Sequence, residues 1–158
     1  MGLLADTNVW SLAYRRDSPP ASAEVAVLRE ALTGGERVVT TGLVLLELLQ
    51  GFVPPRAQAT IHAAFDSLEF VEPGREDYVA AAALSNTCRR KGVQLGTVDA
   101  LIAQLCIGHD FVLLTADADF RHAAQHVPLR VWPSCHARLS NESTLAGAGS
   151  SSAASSSS

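Results

Sequence analysis

Leu3-Leu4-Ala5-Asp6-Thr7-Asn8-Val9-Trp10 is an apolar run that stops at a carboxylate and passes directly into a helical pattern. A run this short, rich in leucine and bounded by a polar residue, reads as a buried strand followed by a helix. The same alternation continues along the chain. Strands are expected at about 2–6, 36–40, 68–71, 111–115 and 129–132, and helices near 8–15, 21–33, 42–52, 55–67, 75–91, 97–108 and 119–126. Short apolar strands alternating with helices predict a parallel sheet with crossover helices, an α/β fold. Stop and start signals fall where this scheme needs them. Gly34-Gly35 closes the second helix, Pro54-Pro55 separates the third from the fourth, and Gly92 follows the cationic end Arg89-Arg90-Lys91.

The chain's 158 residues are enough for one domain with a sizeable core. With 47% hydrophobic and 18% charged residues, the composition is globular rather than disordered. No stretch approaches the roughly 18 to 20 apolar residues that span a bilayer, and Met1-Gly2-Leu3-Leu4 lacks the basic start of a signal peptide. A cytoplasmic location is therefore expected. The domain is expected to occupy 1–139, with 140–158, which is rich in Ser, Ala and Gly and lacks apolar periodicity, as a disordered and dispensable tail. Three cysteines, Cys88, Cys106 and Cys135, without a CxxC spacing, argue against a disulfide framework and a thiolate zinc site; Cys88 and Cys106 read as buried thiols. The net charge of −4 leaves nucleic acid open as a partner, because local clusters such as Arg15-Arg16 and Arg89-Arg90-Lys91 can supply a basic patch. Each cluster reads equally as a solvated face.

Carboxylates stand where unpaired charge is least welcome. Asp6 ends the first strand; Glu47 lies within Leu43-Val44-Leu45-Leu46-Glu47-Leu48-Leu49; Asp99 sits in the first turn of Thr97-Val98-Asp99-Ala100-Leu101-Ile102; Asp117 and Asp119 follow Phe111-Val112-Leu113-Leu114-Thr115. Burying an ionised carboxylate costs several kcal/mol or more unless it is paired or holds a metal. No matching set of buried-looking bases is present. Two structural alternatives remain open: Asp99 serving only the helix N-terminus, and Glu47 hydrogen-bonded in the core or facing a dimer partner.

In open parallel sheets, ligands bind beyond the carboxyl ends of the strands, and Asp6 and Asp117 both belong to that edge. Oxygen ligands without convergent Cys or His select Mg²⁺ or Mn²⁺ over Zn²⁺. Such ions, commonly a pair roughly 4 Å apart, activate water for in-line attack on a phosphodiester. His122 and His126 have i, i+4 spacing but no evident third ligand, and read as a surface pair.

These residues resemble those of a known family. Asp6-Thr7-Asn8-Val9, the helix-borne Glu47 followed by Gly51, Asp99 in Val-Asp-Ala-Leu-Ile-Ala, and Thr115-Ala-Asp-Ala-Asp-Phe120 look like the ordered motifs of PIN-domain ribonucleases, most closely VapC toxins, over residues 2–132. The resemblance implies a three-layer α/β/α sandwich with a five-stranded parallel sheet in order 3-2-1-4-5, and Mg²⁺- or Mn²⁺-dependent endonucleolytic cleavage of RNA. It assigns Asp6, Glu47, Asp99 and Asp117 to the acidic metal site, Asp119 to a frequent fifth acid and Thr115 to the hydroxyl that orients the site; Asn8 takes a polar position beside the first acid. It further implies a homodimer and a VapB-like antitoxin.

Other readings compete. Phosphotransfer of the receiver or haloacid-dehalogenase type also places Asp at a strand end. Receivers need a late lysine, and the only lysine here is Lys91, on a helix; dehalogenases need Asp where Asn8 stands. A catalytically silent PIN-like module that binds RNA or protein remains the other alternative.

Overall fold

The structure, a computed structural model, describes residues 1–15, 22–51 and 54–133. Arg16, Cys135, the 140–158 tail and the last residue of the helix expected to reach 52 lie outside these.

Five strands form one parallel sheet: β1 (Gly2–Ala5), β2 (Val38–Thr40), β3 (Glu69–Phe70), β4 (Phe111–Leu114) and β5 (Arg130–Val131), in the order β3-β2-β1-β4-β5. Seven helices connect them among the described residues: α1 (Thr7–Tyr14), α2 (Ala23–Gly34), α3 (Gly42–Gln50), α4 (Pro55–Asp66), α5 (Arg75–Arg90), α6 (Thr97–His109) and α7 (Ala118–Ala123). The result is the α/β/α sandwich and the strand order expected from the resemblance.

The central strands explain their own apolar sequence. β1 pairs with β4 in the register Gly2–Phe111 to Ala5–Leu114 and with β2 through Leu3–Val38 and Leu4–Val39, so it has a neighbour on both edges and helices over its faces. Such a strand has no solvent face and no use for alternation. Leu4, Ala5, Val39, Leu113 and Leu114 are fully buried accordingly. Residue 2 must also be small, because a Cβ there would meet the Phe111 ring at 2.7 Å.

Outside the sheet, Trp10 of α1 packs against Phe65 of α4 with ring centroids 4.9 Å apart, locking the first helix to the fourth. α5 packs lengthwise on α6, which lies on β4. Gly35 ends α2 at φ 75, a left-handed conformation that favours glycine. Pro55 begins α4, where its missing N–H costs nothing.

The helix α3 is partly buried, as its apolar circumference required. Val44 and Leu48 are buried, whereas Leu46 is 53% exposed. Leu43, Leu45 and Leu49 are partly buried against the core edge. A single helix laid on a sheet covers one stripe, so leucines all round it leave one of them, Leu46, in solvent.

Candidate functional site

The carboxyl ends of β1 and β4 lie side by side, and the Asp6 amide donates to the Leu114 carbonyl at 2.9 Å. Asp6 therefore leaves the sheet beside Thr115, and a web of short hydrogen bonds fixes both. Asp6 Oδ1 accepts from the Thr7 amide at 2.7 Å. Its Oδ2 accepts from Asn8 Nδ2 at 2.8 Å and from the Thr115 hydroxyl at 3.0 Å. Thr115 Oγ1 in turn accepts from the Asp117 amide at 3.0 Å, and Asn8 Oδ1 from the Ala116 amide at 3.2 Å. One hydroxyl and one carboxamide thus tie the loop after β4 to the loop after β1. Behind them, Arg121 Nη2 reaches the Thr115 carbonyl at 3.3 Å and the Glu24 carboxylate at 3.1 Å.

Asp99 comes from α6, whose N-terminus opens on the same edge. It is the third helical residue after the cap Gly96 and accepts a hydrogen bond from the Gly96 backbone. A Cβ at residue 96 would approach Asp99 Oδ2 to 3.2 Å, so glycine leaves that carboxylate its position. Helix capping and membership of the acidic group therefore coexist in Asp99. Asp117 has a similar double role: it caps α7, accepting from the Asp119 amide at 2.8 Å. Glu47 arrives from α3 and accepts from the Thr7 hydroxyl at 2.8 Å. Thr7 had no role in the sequence reading, although its place between Asp6 and Asn8 was a usable signal.

The burial argument holds in full only for Asp6, which is 4% exposed. Glu47, Asp99 and Asp117 are half-buried and Asp119 is exposed, because strand ends and helix starts lie on the rim of the sheet. The acids nevertheless share one electrostatic field. Burial raises the Asp6 pKa from 3.8 to about 6; the Thr115 hydroxyl and the Thr7 amide oppose this, while the charges of Asp99 and Glu47 add to it. Burial also raises the Asp99 pKa, reinforced by Glu47, Asp117 and, more weakly, Asp119. Among the described residues the salt bridges are Arg37–Glu69, Arg121–Glu24 and Arg130–Asp110, so none of the five acids has a cationic partner.

That donor set suits a hard divalent cation in kind: oxygen ligands, excess negative charge and no competing base. Its spacing is open, for among the described residues no three His, Cys, Asp or Glu side chains are gathered closely enough to form a metal-binding group. The carboxylates are held by separate hydrogen bonds, Glu47 to Thr7, Asp6 to Thr115 and Asp99 to Gly96. Cys88 and Cys106 are buried free thiols, as expected, and burial pushes the Cys106 thiol up to about 12, with the Asp6 charge contributing. His122 and His126 are exposed. No described helix is long and apolar enough to cross a membrane.

Among solved structures the fold is similar to that of VapBC2 from Rickettsia felis bound to a promoter DNA fragment, with a TM-score of 0.66 and 19% identity, covering 83% of this chain and 97% of that one. DNA-bound VapBC from Salmonella typhimurium gives a TM-score of 0.65 at 18% identity, over 83% and 96% of the two chains. VapC20 of Mycobacterium tuberculosis, a toxin that cleaves the sarcin-ricin loop, gives 0.59 at 18% identity, over 81% and 98%. No curated protein matches at the level of sequence. The family model of the PIN domain matches residues 3–125, most of the described structure and every acid of the site, so the chain belongs to the PIN-domain family.

Proposed function

We propose that this protein is an Mg²⁺- or Mn²⁺-dependent endoribonuclease acting as the cytoplasmic toxin of a toxin–antitoxin pair. The observation that carries this reading is the meeting of Asp6, Glu47, Asp99 and Asp117 in one field at the carboxyl edge of the sheet without a cationic partner among the described residues. Asp6, Glu47, Asp99 and Asp117 would hold the ion, with Asp119 at the rim as a further acid. When bound, such an ion supplies charge neutralisation at the phosphodiester and a more acidic water. The chain's own residues do the positioning. Thr115 and Asn8 fix Asp6 Oδ2, Thr7 holds Glu47, and Gly96 holds Asp99, so that little reorganisation remains when substrate arrives. The test is cleavage of a mixed RNA by the purified chain with Mg²⁺, with Mn²⁺ and with EDTA. Cleavage is expected with the first two and absent with the third; cleavage undiminished by EDTA would overturn the metal mechanism, and none at all would favour a silent binding module.

The C-terminal end of α5 lies at this edge, since Arg89 borders the same groove as Thr97 at the start of α6. Arg89, Arg90 and Lys91 are all exposed there. They would contact the RNA backbone. Replacing all three with Gln should weaken binding of a single-stranded RNA and lower the slope of log K against log salt by up to about 2, at about 0.7 per phosphate neutralised. An unchanged slope assigns the cluster to solubility.

The VapBC structures of similar fold support a VapB-like partner here. Leu46, exposed on α3, offers an apolar contact for that partner or for a homodimer. Coexpression with the neighbouring small reading frame is expected to yield a complex with suppressed cleavage. A neighbour that neither binds nor protects cells would remove the toxin role and leave the nuclease.

A further inference from the structure

α5 and α6 form a groove of about 280 Å³ between them, too small for a folded partner. Thr97 stands at one end, in the first turn of α6; Asp99 belongs to the same turn but projects from the other side of the helix, so the groove and the carboxylates share this helix terminus. Arg89 flanks that end, and Tyr78 lies on the same face of α5 about 16 Å away at 1.5 Å per residue. Ala81 and Ala100 keep the floor shallow and apolar, and Asn86 lies between the two ends. Tyr78 is 54% exposed. Among the described residues, no hydrogen bond or ion pair engages the side chain of Asn86 or Arg89.

The chemistry of the groove changes along its length: cationic at the start of α6, then a free carboxamide over an alanine floor, then an exposed aromatic ring. A single-stranded nucleic acid has that same requirement, a phosphate met by a cation, base edges met by amides, and base faces stacked on aromatic rings. A strand whose phosphodiester lies at the carboxylates must leave on either side of them, and a strand leaving across the N-terminus of α6 would reach this groove.

We propose that the α5–α6 groove holds the nucleotides flanking the scissile phosphodiester, with a base stacked on Tyr78 and Asn86 reading a base edge; this presupposes the ribonuclease reading above. Tyr78 and Asn86 then set the sequence preference of cleavage, and neither touches the reacting atoms.

The test uses the full chain and a pool of short single-stranded RNAs randomised on both sides of one cleavable step, with products sequenced and KM and kcat measured. Tyr78→Ala should raise KM about tenfold, the scale of one lost base–aromatic stack, with the loss falling on KM rather than kcat and a base preference lost on one side only. Tyr78→Phe should restore both. Asn86→Ala should flatten the preference at one position. Ala82→Glu, which brings a negative charge to the groove wall, should raise KM, whereas Ala83→Glu, the next position round the helix and outside the groove, should leave it at the parent's value. If the parent cuts the pool and Tyr78→Ala and Ala82→Glu cut it with the same preference and KM, the groove does not carry RNA. If Tyr78→Ala instead turns a dimer into a monomer by light scattering, the groove belongs to a second copy and the proposal is overturned. A parent that neither binds nor cuts the pool with Mg²⁺ or Mn²⁺ overturns the nuclease reading itself.

Discussion

Asp6→Asn and Asp99→Asn are each expected to abolish metal-dependent RNA cleavage while leaving the domain folded. Both changes remove a charge at nearly constant volume. The loss should exceed the roughly 10- to 100-fold typical when a residue that merely orients a ligand is removed, because the carboxylate itself goes. Asp6 is the more informative position. Its Oδ2 accepts from Asn8 and Thr115 together, and an Asn amide nitrogen placed there would face two donors. The Thr115 hydroxyl can rotate to accept. Asn8 cannot turn its amide without giving up its bond from the Ala116 amide. A modest loss of stability, about 1 kcal/mol for one bond, is the structural cost. Circular dichroism and a cleavage assay on the same preparation separate this cost from loss of chemistry. A folded Asp6→Asn protein that still cuts in an EDTA-sensitive manner would remove Asp6 from the site.

The second large effect is on stability as a function of pH. In the metal-free chain the Asp6 carboxyl is held at about 6 against an ordinary 3.8, so the folded state binds its proton more tightly than the unfolded state does. The stabilising contribution of the protonated form is thus complete below about pH 3.8 and is lost as pH rises through about 6. At 1.36 kcal/mol per pH unit the whole span amounts to roughly 3 kcal/mol. Asp99, raised in the same direction, adds to it. Urea denaturation of the EDTA-treated parent should therefore show stability falling between about pH 4 and pH 6.5, and Asp6→Asn should lose most of that slope. Mg²⁺ or Mn²⁺ should restore neutral-pH stability to the parent by binding its native state. Identical slopes for parent and variant would show that the Asp6 carboxyl titrates as if in water.

The sequence was most readable where a residue's local and global roles coincide. The five strands fall inside the expected ranges because Leu3-Leu4-Ala5 and Phe111-Val112-Leu113-Leu114 are apolar on both faces, as strands covered by helices must be. Helix ends followed from Gly35, Pro55 and Gly92 for reasons of backbone geometry. The acids of the candidate site stood out because each directly follows a strand or opens a helix, except Glu47. Its position was legible only through the resemblance and the oddity of a charge among leucines, and its degree of burial was not legible at all. Whether a leucine-rich helix is enclosed depends on what packs over its second face, which periodicity does not encode. Thr7 was missed for a related reason: its hydroxyl acts on Glu47, forty residues away in sequence. The groove beside Tyr78 was also invisible, since it is the space left between two helices rather than a property of either.

The exposure of α3 has a consequence for how the four acids fail. Asp6, Asp117 and Asp99 are anchored by the central strands and by α6, whose Leu101, Ile102, Leu105 and Cys106 are buried, whereas Glu47 rides on a helix with only Val44 and Leu48 more than partly buried. Local opening costs follow local burial, so the amide protons of α3 should exchange with deuterated water well before those of β1 and β4. The cleft can then lose one acid for a moment while the domain stays folded, and a protein that grips the exposed Leu46 of α3 changes how often that happens without entering the cleft.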